Sequence, residues 1–128
     1  MERLKRRQDF LRVAAKRNSA ARPGMVLQAA HRPDDATEGS VRFGLTVSRK
    51  VGNAVERNRA RRRLRAAALA TLSAHGEAGV DYVLVGRRAT LTRPFDKLMG
   101  DLAGAMRQVG CWRNDEAPGA RAQGEAED

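Results

Sequence analysis

Residues 51–65 read VGNAVERNRARRRLR, with six arginines in the last nine positions and no proline. Such a run is either a solvated basic tail or one side of a folded helix, and the spacing of its apolar residues decides between them. Set on a helix from Asn53 to Ser73 at about 100° per residue, Ala60, Leu64, Ala67 and Thr71 fall on one stripe. A tail has no reason to keep that stripe. The segment therefore reads as a helix with one side in a core. Asn58 and Arg62 point the opposite way, and Arg59, Arg61, Arg63 and Arg65 lie between or around the two faces. The run GEAGV (76–80) stops the helix.

Working outward, VRFGLTVS (41–48) alternates as a strand, with Val41, Phe43, Leu45 and Val47 on one face and Arg42, Gly44, Thr46 and Ser48 on the other. MVLQAA (25–30) likewise sets Val26, Gln28 and Ala30 against Met25, Leu27 and Ala29. The connection RPDDATEGS (32–40) is turn chemistry and short, which predicts an antiparallel pair, with room for a third short strand near 36–38. Before them, QDFLRVAAKR (8–17) spaces Phe10, Val13 and Ala14 as a short amphipathic helix, broken by Arg22-Pro23-Gly24. After the basic helix, VDYVLVG (80–86) is the most apolar strand. LTRPFDKL then opens a last helix, with Thr92 or Arg93 as N-cap and Pro94 in its first turn. Its core stripe is Phe95, Leu98, Leu102, Met106 and Val109, and Gly110 ends it.

The order α-β-β-(β)-α-β-α predicts an α+β fold, a two-layer sandwich of helices on a small sheet. A basic, loose segment (1–7) precedes a single domain (8–113), and a tail (114–128) rich in Gly, Ala and acids is expected to be disordered. At 128 residues the chain suffices for one modest core. The lone Cys111 forms no internal disulfide and is expected to help close that core beside Trp112. With no apolar run at the N-terminus and none near the ~20 residues a bilayer requires, the chain reads as soluble and cytoplasmic, with no membrane partner.

Charge is unevenly placed. Residues 1–65 hold 18 Lys/Arg against 6 Asp/Glu, and residues 66–128 hold 7 against 9, so all of the net +10 sits in the first half. A field of this kind attracts polyanions, nucleic acid above all. No catalytic constellation accompanies it. His31 has Asp34 and Asp35 nearby but no third obvious ligand, His75 has none, and both are expected in solvent. Ser48 and Ser73 lack a paired base. The expectation is no catalytic residue and no metal held by the polypeptide.

What the residues do offer is an anion-binding edge. Ser48, Arg49 and Lys50 end a strand, Gly52 permits a tight turn, and Asn53 can cap the helix. Arg57, Arg61 and Arg65 follow one another along one flank in steps of about 6 Å, near the phosphate spacing of an RNA strand. Each guanidinium fork can grip a phosphate through two bonds. Arg59 and Arg62 widen the cationic surface. Asn58, uncharged among them, suits a directional hydrogen bond to a base, a phosphate or a hydrated metal ion. A DNA-reading role for the helix, with Asn58 and the arginines in a major groove, is disfavoured by the lack of a helix-turn-helix pair and of a dimerisation heptad.

The run FGLTVSRKVGNAVERNRARRRLR (43–65) resembles the signature of the bacterial ribonuclease P protein family, and the resemblance extends from about Asp9 to Trp112. Ala60 departs from it, standing where a larger aliphatic residue is usual. The resemblance implies a ribosomal-protein-like fold with a left-handed βαβ crossover, which physics alone would not predict. It implies a protein subunit bound to a catalytic RNA that removes the 5′ leader from precursor tRNA, with Mg²⁺ held mainly by that RNA and no obligate protein partner. It also implies a leader-binding cleft between the first helix and the sheet, in which Phe10 matches an aromatic position and Val26 and Gln28 lie on the facing strand. Ala14 and Gln28 stand where some members carry aromatics, so stacking would rest mainly on Phe10. The alternative is a non-catalytic RNA-binding protein of ribosomal or chaperone-like type.

Overall fold

The computed structural model describes residues 1–33 and 40–114. Its elements are β1 (Glu2–Arg3), α1 (Arg7–Ala15), β2 (Ser19–Ala21), β3 (Met25–His31), β4 (Arg42–Thr46), α2 (Ala54–His75), β5 (Val80–Gly86) and α3 (Phe95–Gln108). The five strands form one sheet in the order β1-β4-β5-β3-β2. A third strand near 36–38, and Asp34 and Asp35, lie outside the described residues, as does the segment from 115 onward.

The antiparallel pair expected of β3 and β4 is not formed. β5 lies between them, antiparallel to β3 (Met25↔Gly86 to His31↔Val80) and parallel to β4 (Arg42↔Asp81 to Thr46↔Val85). The physical reason is β5 itself. Buried from Val80 to Leu84, it needs neighbours on both edges to satisfy its backbone, so it takes the centre of the sheet. α2 supplies the crossover that a parallel β4–β5 pair requires.

Two further strands were not anticipated. Residues 1–7 are not loose: Glu2 N donates to Val41 O at 3.1 Å and Leu4 N to Phe43 O at 2.7 Å, with Leu4 buried and Arg3 over the Phe43 ring. The first helix ends at Ala15, two residues sooner than expected, because Arg17 turns left-handed (φ 56°) and directs the chain into β2. Arg22-Pro23-Gly24 then serves as the β2–β3 turn, closed by Arg22 N to Met25 O at 2.8 Å. At the other end, a 3-10 turn over Arg88–Leu91 precedes α3, and the backbone N–H groups of Thr92 and Arg93 after it both bond Ala89 O. Neither residue caps α3; Pro94 occupies the cap position without a side-chain bond, and Phe95 in the first turn is exposed rather than core.

The main core lies between one sheet face and the helices α2 and α3. Met25, Leu27, Ala29, Phe43, Tyr82 and Leu84 meet Ala60, Leu64, Ala67, Ala68 and Leu72 of α2 and Leu98, Leu102, Ala105 and Met106 of α3. The apolar stripe read from the sequence is the buried face of α2. Cys111 is buried in the same core and Trp112 packs on its margin. The opposite sheet face carries α1 over a smaller cluster of Leu4, Val13, Ala30 and Val83, with Phe10 and Val85 packed against it.

Gly44 sets the distance between α1 and that face. A Cβ there would stand 2.5 Å from Phe10 Cζ and 3.2 Å from Leu4 Cβ. Gly44→Ala is therefore expected to lower stability by about 1–3 kcal/mol through overpacking. Urea unfolding of the two proteins measures it; equal midpoints would mean that α1 lifts at no cost.

Candidate nucleic-acid interface

The basic edge begins where β4 ends. Ser48 Oγ accepts from Lys50 N at 3.3 Å and so starts a 3-10 turn over Arg49–Val51, with Val51 buried as its anchor. Gly52 follows at φ 155°, where a Cβ would run into Glu56. Asn53 caps α2 as expected: its Oδ1 accepts from Glu56 N at 2.9 Å, while a Glu56 carboxylate oxygen accepts from Asn53 N at 2.9 Å. This reciprocal box fixes the helix start, so Arg49 and Lys50 stand exposed beside the first turns of α2.

Along α2 the arginines separate into two kinds. Arg59, Arg62 and Arg65 are exposed, whereas Arg57 and Arg61 are half-buried along the flank. Arg63 turns inward instead, donating from Nε to Thr90 O at 2.8 Å and from Nη2 to Arg93 O. It ties α2 to the turn before α3 and is a structural arginine. Asn58 is exposed, but its Oδ1 accepts from Arg61 Nη1 at 2.9 Å. It orients that guanidinium and presents only amide donors outward.

Two features of this face were not read from the sequence. Val55, 77 % exposed, sits one turn before Arg59, an exposed apolar side chain whose signal is a large aliphatic residue off the core stripe. Arg59 and Glu56 also border a cavity of about 410 Å³ shared with Arg88, Ala89, Leu91 and Thr92.

The second predicted site lies on the opposite sheet face. Phe10 packs over Gly44 of β4, while the half-buried Val26 and Gln28 of β3 pair with Val85 and Val83 of β5. The three residues thus share one face, with β5 between Phe10 and the other two. A groove of about 420 Å³ beside Phe10 is lined by Lys5, Arg7, Leu11, Leu45 and Thr46. Lys5 and Arg7, from the basic N-terminal segment, supply cations to this groove.

Beneath α1, Arg12, Arg32 and Arg42 have carboxylate partners. Asp81, wholly buried, accepts from Arg32 Nη1 at 2.7 Å, from Arg42 Nε at 2.9 Å and Nη2 at 2.8 Å, and from Arg12 Nη2. Asp9 stands 3.7 Å from Arg12 and 3.8 Å from Arg42. Burial pushes the Asp81 carboxyl up, but the hydrogen bonds from Arg42, Arg32 and Arg12 outweigh it and hold the group below the ordinary aspartate value. By contrast, among the described residues no carboxylate pairs with the arginines of α2.

His31 is exposed as expected. His75 is not: it stacks on Trp112 at 3.8 Å, with Arg107 on the same indole at 4.1 Å. The segment after α3 folds back to the end of α2, where Arg113 bonds Gly76 O and Ala74 O, and this buries the imidazole face.

Comparison with known proteins gives a consistent picture. The family model for Ribonuclease P matches residues 1–110. The ribonuclease P protein component of Paramagnetospirillum magneticum is 52% identical over 120 residues, covering 91% of this chain and 89% of the relative. That of Ruegeria pomeroyi is 50% identical over 107 residues, covering 83% and 84%. Among solved structures, the Staphylococcus aureus RNase P protein superposes with a TM-score of 0.70 at 23% identity, over 87% of this chain and 97% of that one. The Thermotoga maritima RNase P protein gives 0.67 at 24%, over 81% and 94%. At these identities the two structures establish the shared fold.

Proposed function

Because the chain belongs to the ribonuclease P protein family, as the protein component of an RNA–protein endoribonuclease that processes the 5′ end of tRNA, we propose how its two faces divide the work. The basic edge binds the catalytic RNA, through Ser48, Arg49, Lys50, Asn53, Arg57, Asn58, Arg59, Arg61, Arg62 and Arg65. The α1 face binds the single-stranded leader of precursor tRNA, through Phe10, Val26 and Gln28. The observation that carries this division is the pairing of charge. Arg12, Arg32 and Arg42 beneath α1 are neutralised by Asp81 and Asp9, while the arginines of α2 have no carboxylate partner among the described residues and, Arg63 apart, are left for phosphates.

Hydrolysis belongs to the RNA. Mg²⁺ prefers oxygen ligands in near-octahedral array, and the α2 face does not fit it. Its donors are guanidinium and ammonium groups, the Asn58 oxygen is engaged by Arg61, and the Glu56 carboxylate by the helix cap. We therefore assign the metal to the RNA subunit. None of the helices described is long and apolar enough to cross a membrane, and the site of action proposed is the cytoplasm.

The test is reconstitution. Mixed with a bacterial catalytic RNA at low Mg²⁺, the protein is expected to restore cleavage of precursor tRNA, and alone to leave the substrate intact. Arg57→Ala, Arg61→Ala and Arg65→Ala are each expected to lower the salt slope of RNA binding by roughly one unit. Helix content should persist, since alanine is the better helix former. Unchanged affinity and slope in all three variants would reduce the flank to a solvated surface.

A further inference from the structure

Away from the basic edge of α2, the fold gathers three metal-ligating side chains that the sequence keeps well apart. His31 ends β3, Glu77 lies in the α2–β5 connection, and Cys111 follows α3; their ligand atoms all lie within 4.8 Å of one another. The backbone holds them there. Tyr82 Oη accepts from Glu77 N at 2.9 Å and donates to Cys111 O at 2.7 Å, so one buried hydroxyl ties two of the three positions together. His31 is fixed by its pairing with Val80, whose own N–H bonds Glu77 O at 3.2 Å.

We propose that His31, Glu77 and Cys111 form a site for a single Zn²⁺ ion. An imidazole nitrogen, a carboxylate oxygen and a thiolate sulfur are the three donor types zinc accepts, and the sulfur disfavours Mg²⁺ and Ca²⁺. Three protein ligands leave the fourth tetrahedral position to water. On binding, the Cys111 thiol gives one proton to solvent and Cys111 Sγ bonds the metal. Two anionic ligands then neutralise the two charges of the ion. The ion would pin the end of β3, the α2–β5 connection and the segment after α3 to one another. The end of α2 at His75, two residues before Glu77, lies about 26 Å along the helix from Asn58 at about 1.5 Å per residue. Its role is therefore structural and separate from the basic edge of α2.

The experiment uses the full chain, stripped of metal with a chelator. Co²⁺ is expected to bind one-to-one with a near-ultraviolet thiolate-to-metal charge-transfer band, and Zn²⁺ to displace it and raise the melting temperature. His31→Ala and Glu77→Gln, both at solvent-accessible positions, should each weaken Zn²⁺ binding by more than about tenfold, the effect that loss of even an outer-shell partner has at such sites. Zn²⁺ should also shield Cys111, the only thiol, from alkylation in the native wild-type chain, a readout that needs no cysteine variant to fold. Co²⁺ binding without the charge-transfer band, or equal Zn²⁺ affinity in His31→Ala and wild type, overturns the proposal.

Discussion

Asp81→Ala is expected to cost about 3–5 kcal/mol of folding stability, a large share of the roughly 5–15 kcal/mol that holds a typical domain. The substitution removes the buried carboxylate that joins Arg12, Arg32 and Arg42 beneath α1; among the described residues Asp9 still stands 3.7 Å from Arg12 and 3.8 Å from Arg42. Arg32, whose side chain is 4% exposed, loses its contact with Asp81 where water has little access, though its Nη2 keeps its bond to Ser40 O at 2.6 Å. Urea unfolding at neutral pH measures the loss, and an unchanged midpoint would mean that the three guanidinium groups rehydrate freely. The same carboxylate gives a pH signature. Since its folded pKa lies below the ordinary 3.8, its contribution is whole above that value and is withdrawn as the pH falls through the folded value. Asp81→Asn, unable to ionise, should show a flatter acid limb than wild type.

Phe10→Ala is expected to weaken precursor-tRNA binding by the reconstituted holoenzyme by about 1–3 kcal/mol, the usual worth of one base stacked on an aromatic ring. Mature tRNA, which lacks the leader, should bind as before. Phe10 is half-buried over Gly44 and touches the small cluster under α1, so part of its role is packing. A fully buried phenylalanine costs about 3–5 kcal/mol on truncation, and this one should cost less. The two roles separate when thermal unfolding is measured beside binding of both tRNAs. Equal losses for precursor and mature tRNA, with a collapsed melting temperature, would assign Phe10 to the core alone.

Features that depend on one segment at a time were legible in the sequence. The alternation of residues 41–48 gave the two faces of β4, and the stripe through Ala60, Leu64, Ala67 and Thr71 gave the buried side of α2. Adjacency was not legible. Nothing local in Met25–His31 or Arg42–Thr46 says that β5 will come between them, because that choice follows from which strand is apolar on both faces. β1 and β2, at two and three residues, are too short to display a period. Nor could identical residues be sorted. Arg62 and Arg63 are neighbours in a basic run, and only the backbone carbonyls of Thr90 and Arg93 make one of them structural. His31, Glu77 and Cys111 lacked any motif spacing, since three separate connections carry them to one place.

The shortness of β1 and β2 also bears on solubility. These strands are the two outer margins of the sheet, and such margins are where separate polypeptides join by continuing a ladder. Two residues on one side and three on the other offer little length for an incoming strand to grip. If Glu2–Leu4 were displaced, for instance by a bulky N-terminal fusion, the whole of Arg42–Thr46 would become the open margin, with unpaired amides next to the buried Phe43. Clumping of a fused protein before it meets RNA would then arise from an uncovered β4 rather than from its positive charge.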